Sequence, residues 1–300
     1  MQSSKRQKLR KLKKLYLGVA LVVLLLATVI IGITCFQSRS LPGTISIISN
    51  WNYGTNAAQE FDIYVPHSIS LSPLIILVHG GAWEGGDKSD LSGIAYFLAE
   101  KGFVVINMNY RLLPDFSYPA PMEDIQMVLQ WVNQNAENYG IDTTRIGMCG
   151  YSAGGHLVAL YSLTQDKNYI NGGSMLPRVY AIAALAGVFT LQGINNTTPI
   201  VEDTLPVWLA TANPQSLGLP IDQIEPGDNV TFLLLQGAQD VIAPPAQSSL
   251  FYHALVANGV SAELKIYPDK DHTTLISGIP NDDEVGQDLV SFFNETLNSP

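Results

Sequence analysis

Cysteine is almost absent from this chain, with two residues in 300. Cys35 lies in an apolar run and Cys149 precedes a Gly-x-Ser turn, so a disulfide between them is not expected. No Cys/His cluster has metal-ligand spacing, and neither a metal nor a cofactor is expected. Positive charge is scarce beyond the N-terminus. Of the 16 Lys and Arg, eight fall in residues 1–40, where there is no acid. Residues 41–300 hold the other eight against all 26 Asp and Glu, a formal net charge of −18. So acidic a body lacks the basic surface that a nucleic-acid partner needs, and the charge mainly favours solubility. Internal repeats and low-complexity tracts are also missing after residue 40.

The N-terminus differs from the rest. Residues 1–14 carry Lys5, Arg6, Lys8, Arg10, Lys11, Lys13 and Lys14. Leu15 to Phe36 then runs without a charge. About 20 apolar residues suffice for a helix to cross a bilayer, so residues 15–36 are expected to span one. The basic flank should stay cytoplasmic, placing the remainder outside. A cleaved signal peptide is the alternative, giving a secreted protein. Its apolar region usually has only about 7–15 residues, and Ser38-Arg39-Ser40 imitates a cleavage site poorly, so an uncleaved signal anchor is favoured. Residues 37–43 read as a linker and residues 44–300 as one domain.

Within that domain, β-rich apolar runs alternate with helical patterns. The runs are Thr44–Ser49, Phe61–Val65, Leu74–His79, Phe103–Met108, Arg145–Cys149, Ala181–Leu185, Phe232–Gln236 and Glu263–Tyr267. Helical patterns fill 89–101, 119–138, 152–164, 246–258 and 283–297. Continuous apolar runs suit strands buried on both faces. The alternation predicts an α/β fold: a mostly parallel eight-stranded sheet flanked by helices, with the first two strands an antiparallel start. Residues 187–229 break the rhythm. They are rich in Pro, Asn, Thr and Gly without strong periodicity, and a segment that long reads as a lid over a site.

Gly150-Tyr151-Ser152-Ala153-Gly154 separates a strand-like run from a helix-like run. A serine so placed can sit on a strained turn with its hydroxyl projecting outward. Serine is a weak nucleophile and needs a base, whose other ring nitrogen a carboxylate should hold. Five histidines are available. His253 lies mid-helix and His67 in an early turn. His79 ends a strand beside Gly80-Gly81, suggesting a loop role. His156 follows Ser152 on the same helix, which points it away from the turn's tip, so it reads as structural. His272 follows the last strand, where a loop can return to the sheet's C-terminal edge, and is the expected base. Asp240 leaves the strand Phe232–Gln236 on a turn and is the expected carboxylate. Asp269 and Asp271 are weaker rivals. The amides of Gly81 and Ala82, with that of Ala153, are the expected donors to an oxyanion.

Together these segments resemble the α/β-hydrolase superfamily, and most closely its HGG-x-W esterase/lipase branch of carboxylesterases and kynurenine-formamidase-like enzymes. The matching segments are His79-Gly-Gly-Ala-Trp83, Gly86-Asp-Lys88, Asn109-Tyr-Arg-Leu112, Tyr118-Pro-Ala-Pro-Met-Glu-Asp124, Gly150-Tyr-Ser-Ala-Gly-Gly-His156, Gly237-x-x-Asp240 and Asp271-His272. They cover roughly residues 60–275 in the family's order. The resemblance implies Ser152 as nucleophile, Asp240 as acid and His272 as base. From motif position and opposite charge, Asp87 and Arg111 are expected to pair and hold the oxyanion loop. Two departures stand out. Ala82 occupies a position where many relatives carry a third Gly or an aromatic. Gln236 stands where relatives often have His.

The expected function is hydrolysis of small-molecule carboxylic esters with short to medium acyl groups, through an acyl-enzyme. An amidase or peptidase, or an arylformamidase, would use the same groups. A catalytically silent scaffold on this fold would lack one of them, and none is missing. Asn195, Asn196, Asn229 and Asn294 begin N-x-Ser/Thr sequons, which matter only in a eukaryotic secretory host.

Overall fold

A computed structural model describes residues 45–68, 70–170, 176–192, 199–212 and 215–298. The apolar run 15–36, the linker 37–43, Asn195 and Asn196 lie outside the described residues. Among the described residues, no helix is long and apolar enough to cross a membrane.

Each of the eight apolar runs overlaps a strand, Thr44 of the first lying outside the described residues. The strands are β1 (Ile45–Asn52), β2 (Glu60–Pro66), β3 (Ser72–Val78), β4 (Val104–Met108), β5 (Ile141–Tyr151), β6 (Ala181–Leu185), β7 (Thr231–Gly237) and β8 (Ser261–Tyr267). They form one sheet in the order β1-β2-β4-β3-β5-β6-β7-β8. β1 pairs antiparallel with β2, and β2 antiparallel with β4. The remaining pairs are parallel. β5 is longer than its apolar run because Ile141 and Asp142 also pair with Ser72 and Pro73 of β3.

Among the described residues, the helices longer than one turn are α1 (Ser92–Glu100), α2 (Ala120–Tyr139), α3 (Ala153–Leu163), α4 (Pro199–Leu209), α5 (Pro245–Ala257) and α6 (Glu284–Leu297). The pattern over 89–101 divides in two: a tight turn Lys88–Leu91, capped by the Asp87 side chain, precedes α1. β3 shows why its run is continuous. Leu74, Ile76 and Val78 face a cluster with Ile125, Leu129 and Leu157, from α2 and α3. Ile75 and Leu77 face the other cluster, with Leu98 of α1 and Phe293 of α6. Side chains alternate across a strand, so a strand covered on both faces must be apolar at every position.

The described residues of 187–229 hold more regular structure than their composition suggested. They contain α4 and two short turns, Gln215–Gly218 and Pro220–Gln223. Leu205, Trp208, Leu209 and Ala212 are buried. Their spacing is i, i+3, i+4, i+7, a helical stripe that the surrounding Pro, Asn and Thr obscure.

Candidate active site

Strand β5 delivers Tyr151 to the sheet's C-terminal edge, and α3 starts at Ala153. Ser152 makes the turn between them with φ 56° and ψ −118°. A side chain in this region costs on the order of 1–3 kcal/mol and persists only where its surroundings enforce it. The Ser152 amide donates to the Leu185 carbonyl at 2.8 Å. The flanking glycines permit the turn by close approach. A Cβ on Gly150 would lie 2.2 Å from the Gly154 carbonyl oxygen, and one on Gly154 would lie 2.0 Å from that of Val78. Any larger residue at either position would push α3 off the sheet.

Asp240 follows β7 and His272 follows β8, so neighbouring parallel strands bring both to the same edge. His272 Nε2 lies 3.0 Å from Ser152 Oγ, and its Nδ1 lies 2.7 Å from Asp240 Oδ2. Asp240 is 3% exposed and His272 8%. The other carboxylate oxygen, Asp240 Oδ1, accepts from the amides of Ile242 at 2.8 Å and Ala243 at 2.9 Å. Tyr151 O–H donates to the His272 carbonyl at 3.0 Å. Burial first, and then the charges of Asp240 and Asp271, raise the Tyr151 phenol, so this donor keeps its proton. The rival Asp271 turns away: its Oδ1 accepts from Thr274 N at 2.7 Å and Thr274 Oγ1 at 2.6 Å. Asp269 is exposed.

Gln236 is a functional neighbour that sequence reasoning noted only as a departure. It is fully buried. Its Nε2 donates to Asp240 Oδ2 at 3.1 Å and to the Ala243 carbonyl at 3.0 Å. Its Oε1 accepts from Ser248 Oγ at 2.7 Å. The signal lay in a polar residue closing an otherwise apolar strand, four positions before the carboxylate.

A cavity of about 530 Å³ opens over Ser152. Gly81, Ala82, Ala153, Trp83, Val188 and Ile242 are among the residues that line it, so the three expected oxyanion donors border the same space as the hydroxyl. Ala153 opens α3, where a helix leaves its first N–H groups without internal partners. The loop at the end of β3 is tightly wound. Ala82 and Trp83 have φ 52° and 61°, and the amides of Glu84 and Gly85 fold back onto the Gly81 carbonyl.

His156 is fully buried and faces away from the cavity side of the turn. Trp83 Nε1 donates to His156 Nδ1 at 3.3 Å, and His156 Nε2 meets the Gly218 carbonyl at 2.8 Å. Trp208 of α4 stacks on Trp83 at 6.0 Å and meets His156 edge-on at 5.7 Å. Burial lowers the imidazole to about 4 despite the bond to Gly218. It is therefore neutral, with Nε2 protonated. His156 thus ties the Trp83 loop to the 187–229 segment. His79, also buried, stacks on Tyr110 at 4.4 Å and directs Nδ1 to the Gly80 carbonyl at 2.6 Å.

The expected Asp87–Arg111 pair is not formed. Arg111 pairs with Glu123 and Asp124, each at 2.8 Å. Asp87 instead accepts from Ser89 N and Asn109 Nδ2, both at 2.8 Å. Burial works to raise Asp87, but bonds from Ser89 and Asn109 and the charge of Lys88 outweigh it and bring the group to about 2. The reason lies in chain order. Asp124 is fully buried on α2, and Arg111 neutralises it, donating from N and Nε to its two carboxylate oxygens, each at 2.8 Å. Lys88 of the same motif is itself buried against Glu60 at 3.3 Å and Asp62 at 3.1 Å.

The strand order and the crossover helices define an α/β-hydrolase. Solved structures with the same fold include esterase B from Lactobacillus Rhamnosis, at TM-score 0.73 and 20% identity, covering 92% of this chain and 94% of that one. A truncated carbohydrate esterase from gut microbiota matches at TM-score 0.72 and 22% identity, covering 88% of this chain and all of that one. The BD-FAE family model matches residues 61–255, and the chain belongs to that family. Curated relatives are hydrolases. Isoprenylcysteine alpha-carbonyl methylesterase ICME of Arabidopsis thaliana is 26% identical over 88% of this chain and 68% of its own length. Kynurenine formamidase of Salmo salar is 26% identical over 80% of each chain. The probable carboxylic ester hydrolase LipM of Mycobacterium tuberculosis is 29% identical over 75% of this chain and 54% of its own length.

Proposed function

We propose that the protein is a serine hydrolase that cleaves small-molecule carboxylic esters with short to medium acyl groups. The observation that carries this reading is the hydrogen-bonded chain Ser152–His272–Asp240 at the floor of an apolar cavity. Ser152 Oγ attacks the ester carbonyl as its proton passes to His272 Nε2. Asp240 holds Nδ1–H and stabilises the imidazolium that forms. The carbonyl oxygen, now negative, is met by the amides of Gly81, Ala82 and Ala153. The tetrahedral adduct collapses, and the leaving alcohol takes the proton from His272. Water, deprotonated by the same imidazole, then attacks the acyl-enzyme and releases the acid. The test is Ser152→Ala with a short-chain aryl ester. Loss of turnover, together with loss of labelling by a fluorophosphonate probe, supports the reading. Unchanged turnover overturns it.

A second reading is an arylformamidase, favoured by the likeness to kynurenine formamidase over 80% of both chains. The groups are the same; a panel of esters and formanilides with matched leaving groups separates the two by their kcat/KM ratio. The segment 187–229, which supplies Val188 to the cavity wall, serves as the cover of the site. Residues 15–36 anchor the chain in a lipid bilayer, with the catalytic domain outside the cytoplasm. Protease treatment of intact cells then removes the domain, and full protection would overturn that topology.

A further inference from the structure

The cavity over Ser152 has a charge character that the ester-hydrolase reading leaves open. Its walls are mostly apolar: Trp83, Leu113, Pro114, Val188 and Ile242. One lining residue carries a permanent charge, Glu84, which is exposed. It sits one position beyond Trp83, on the loop that carries the expected oxyanion donors. Among the described residues no ion pair engages its carboxylate. The loops around it add charge of the same sign. Asp115 directly follows the lining residue Pro114, Asp271 directly precedes His272, and both are exposed. The cations on these loops are spent elsewhere. Arg111 is held by Glu123 and Asp124, and Lys270 pairs with Asp283 at 2.7 Å.

From this arrangement we propose that the site selects esters by charge. Cationic esters, whose alcohol part bears a quaternary or primary ammonium, are preferred, neutral ones accepted, and anionic ones rejected, with Glu84 as the specificity-determining residue. The proposal rests on the ester-hydrolase reading. The physical argument is short. A substrate whose carbonyl sits at Ser152 must place one arm in a space bordered by an unneutralised carboxylate. Low-dielectric walls on the other sides focus that field, and a cation there is attracted while an anion pays for both desolvation and repulsion. A single exposed charge is worth about a 5-fold change in kcat/KM, and several of one sign reinforce it.

The experiment uses three butyrate esters: those of choline, of 3,3-dimethylbutanol and of isethionate. The first two are close in shape and differ by the charge. The full chain is assayed at low and high salt, with Glu84→Gln, Glu84→Lys and, as a control for overall charge, Glu137→Gln on an exposed position of α2. The cation-to-neutral ratio of kcat/KM is expected to fall about 5-fold in Glu84→Gln, fall further in Glu84→Lys, and shrink with salt in the wild type. Glu137→Gln leaves it in place. A ratio that is the same in wild type, Glu84→Gln and Glu84→Lys, while the neutral ester is turned over, overturns the charge selection and spares the hydrolase reading. If the wild type hydrolyses none of the three and Ser152 resists a fluorophosphonate, the hydrolase reading fails and this inference with it.

Discussion

Two buried histidines flank Ser152, and they have opposite surroundings. His272 meets a carboxylate on one nitrogen and the serine hydroxyl on the other. His156 meets an indole N–H, a backbone carbonyl and two tryptophan rings, with no carboxylate bonded to it. The same side chain joins a polar chain of hydrogen bonds on one side of the turn and is kept neutral by burial on the other. An imidazole is defined by what it faces. The polar side suits proton transfer, and the aromatic side fixes the loop that borders the cavity over Ser152.

The largest effect should come from removing the polar side. His272→Gln is expected to lower kcat by about 1,000-fold or more while leaving the thermal midpoint nearly unchanged, since the residue lines a cavity and is not part of the core. Steady-state kinetics and a melting curve on one preparation check both halves. A variant that melts early would mean that His272 is structural, as His156 is.

The aromatic side should break the other way. Trp208→Ala removes a fully buried ring that packs on both Trp83 and His156. A loss of about 3–5 kcal/mol in denaturant unfolding is expected. A third outcome concerns pH. The His156 imidazole is lowered to about 4 in the fold and has its ordinary value near 6.5 in the unfolded chain. Below 6.5 the unfolded chain therefore binds more protons. Stability from this group is full above about pH 6.5 and declines as pH falls towards 4, by roughly 3 kcal/mol in all. His156→Phe should flatten that part of the stability–pH curve, whatever it costs at neutral pH. An unchanged slope between pH 6.5 and 4 would show that other groups carry it.

The smallest of these effects is the most specific. Gln236→Leu deletes a donor to the same Asp240 oxygen that holds His272. The carboxylate is then held less firmly against His272, and kcat should fall about tenfold with KM and the thermal midpoint little changed. A loss that only follows a lowered thermal midpoint would make Gln236 a packing residue only. Gln236→Asn tests whether a shorter amide can reach.

The sheet was legible because parallel strands covered on both faces must be apolar at every position, as β6 and the Leu74–Val78 part of β3 are. The helices were legible by their period, apart from α4, whose stripe at 205, 208, 209 and 212 is short and set among loop-forming residues. The positions of Ser152, Asp240 and His272 followed from where strands end. The ion pairs did not. Asp87 and Arg111 were matched on motif position and opposite charge, yet the partner of Arg111 was decided by which carboxylate was buried.

The sequence by itself determined the strand order's raw material, the turn that exposes Ser152, and the chain order Ser–Asp–His. Those depend on local geometry: glycines that allow close approach, and apolar runs that can only lie inside. Tertiary structure alone decided what each polar group faces. It gave Arg111 to Asp124, set Gln236 against Asp240, and closed Trp83, His156 and Trp208 into one cluster. Those choices turn on burial, because a charge or a donor taken from water must find its partner among whatever the fold brings within 3 Å or so.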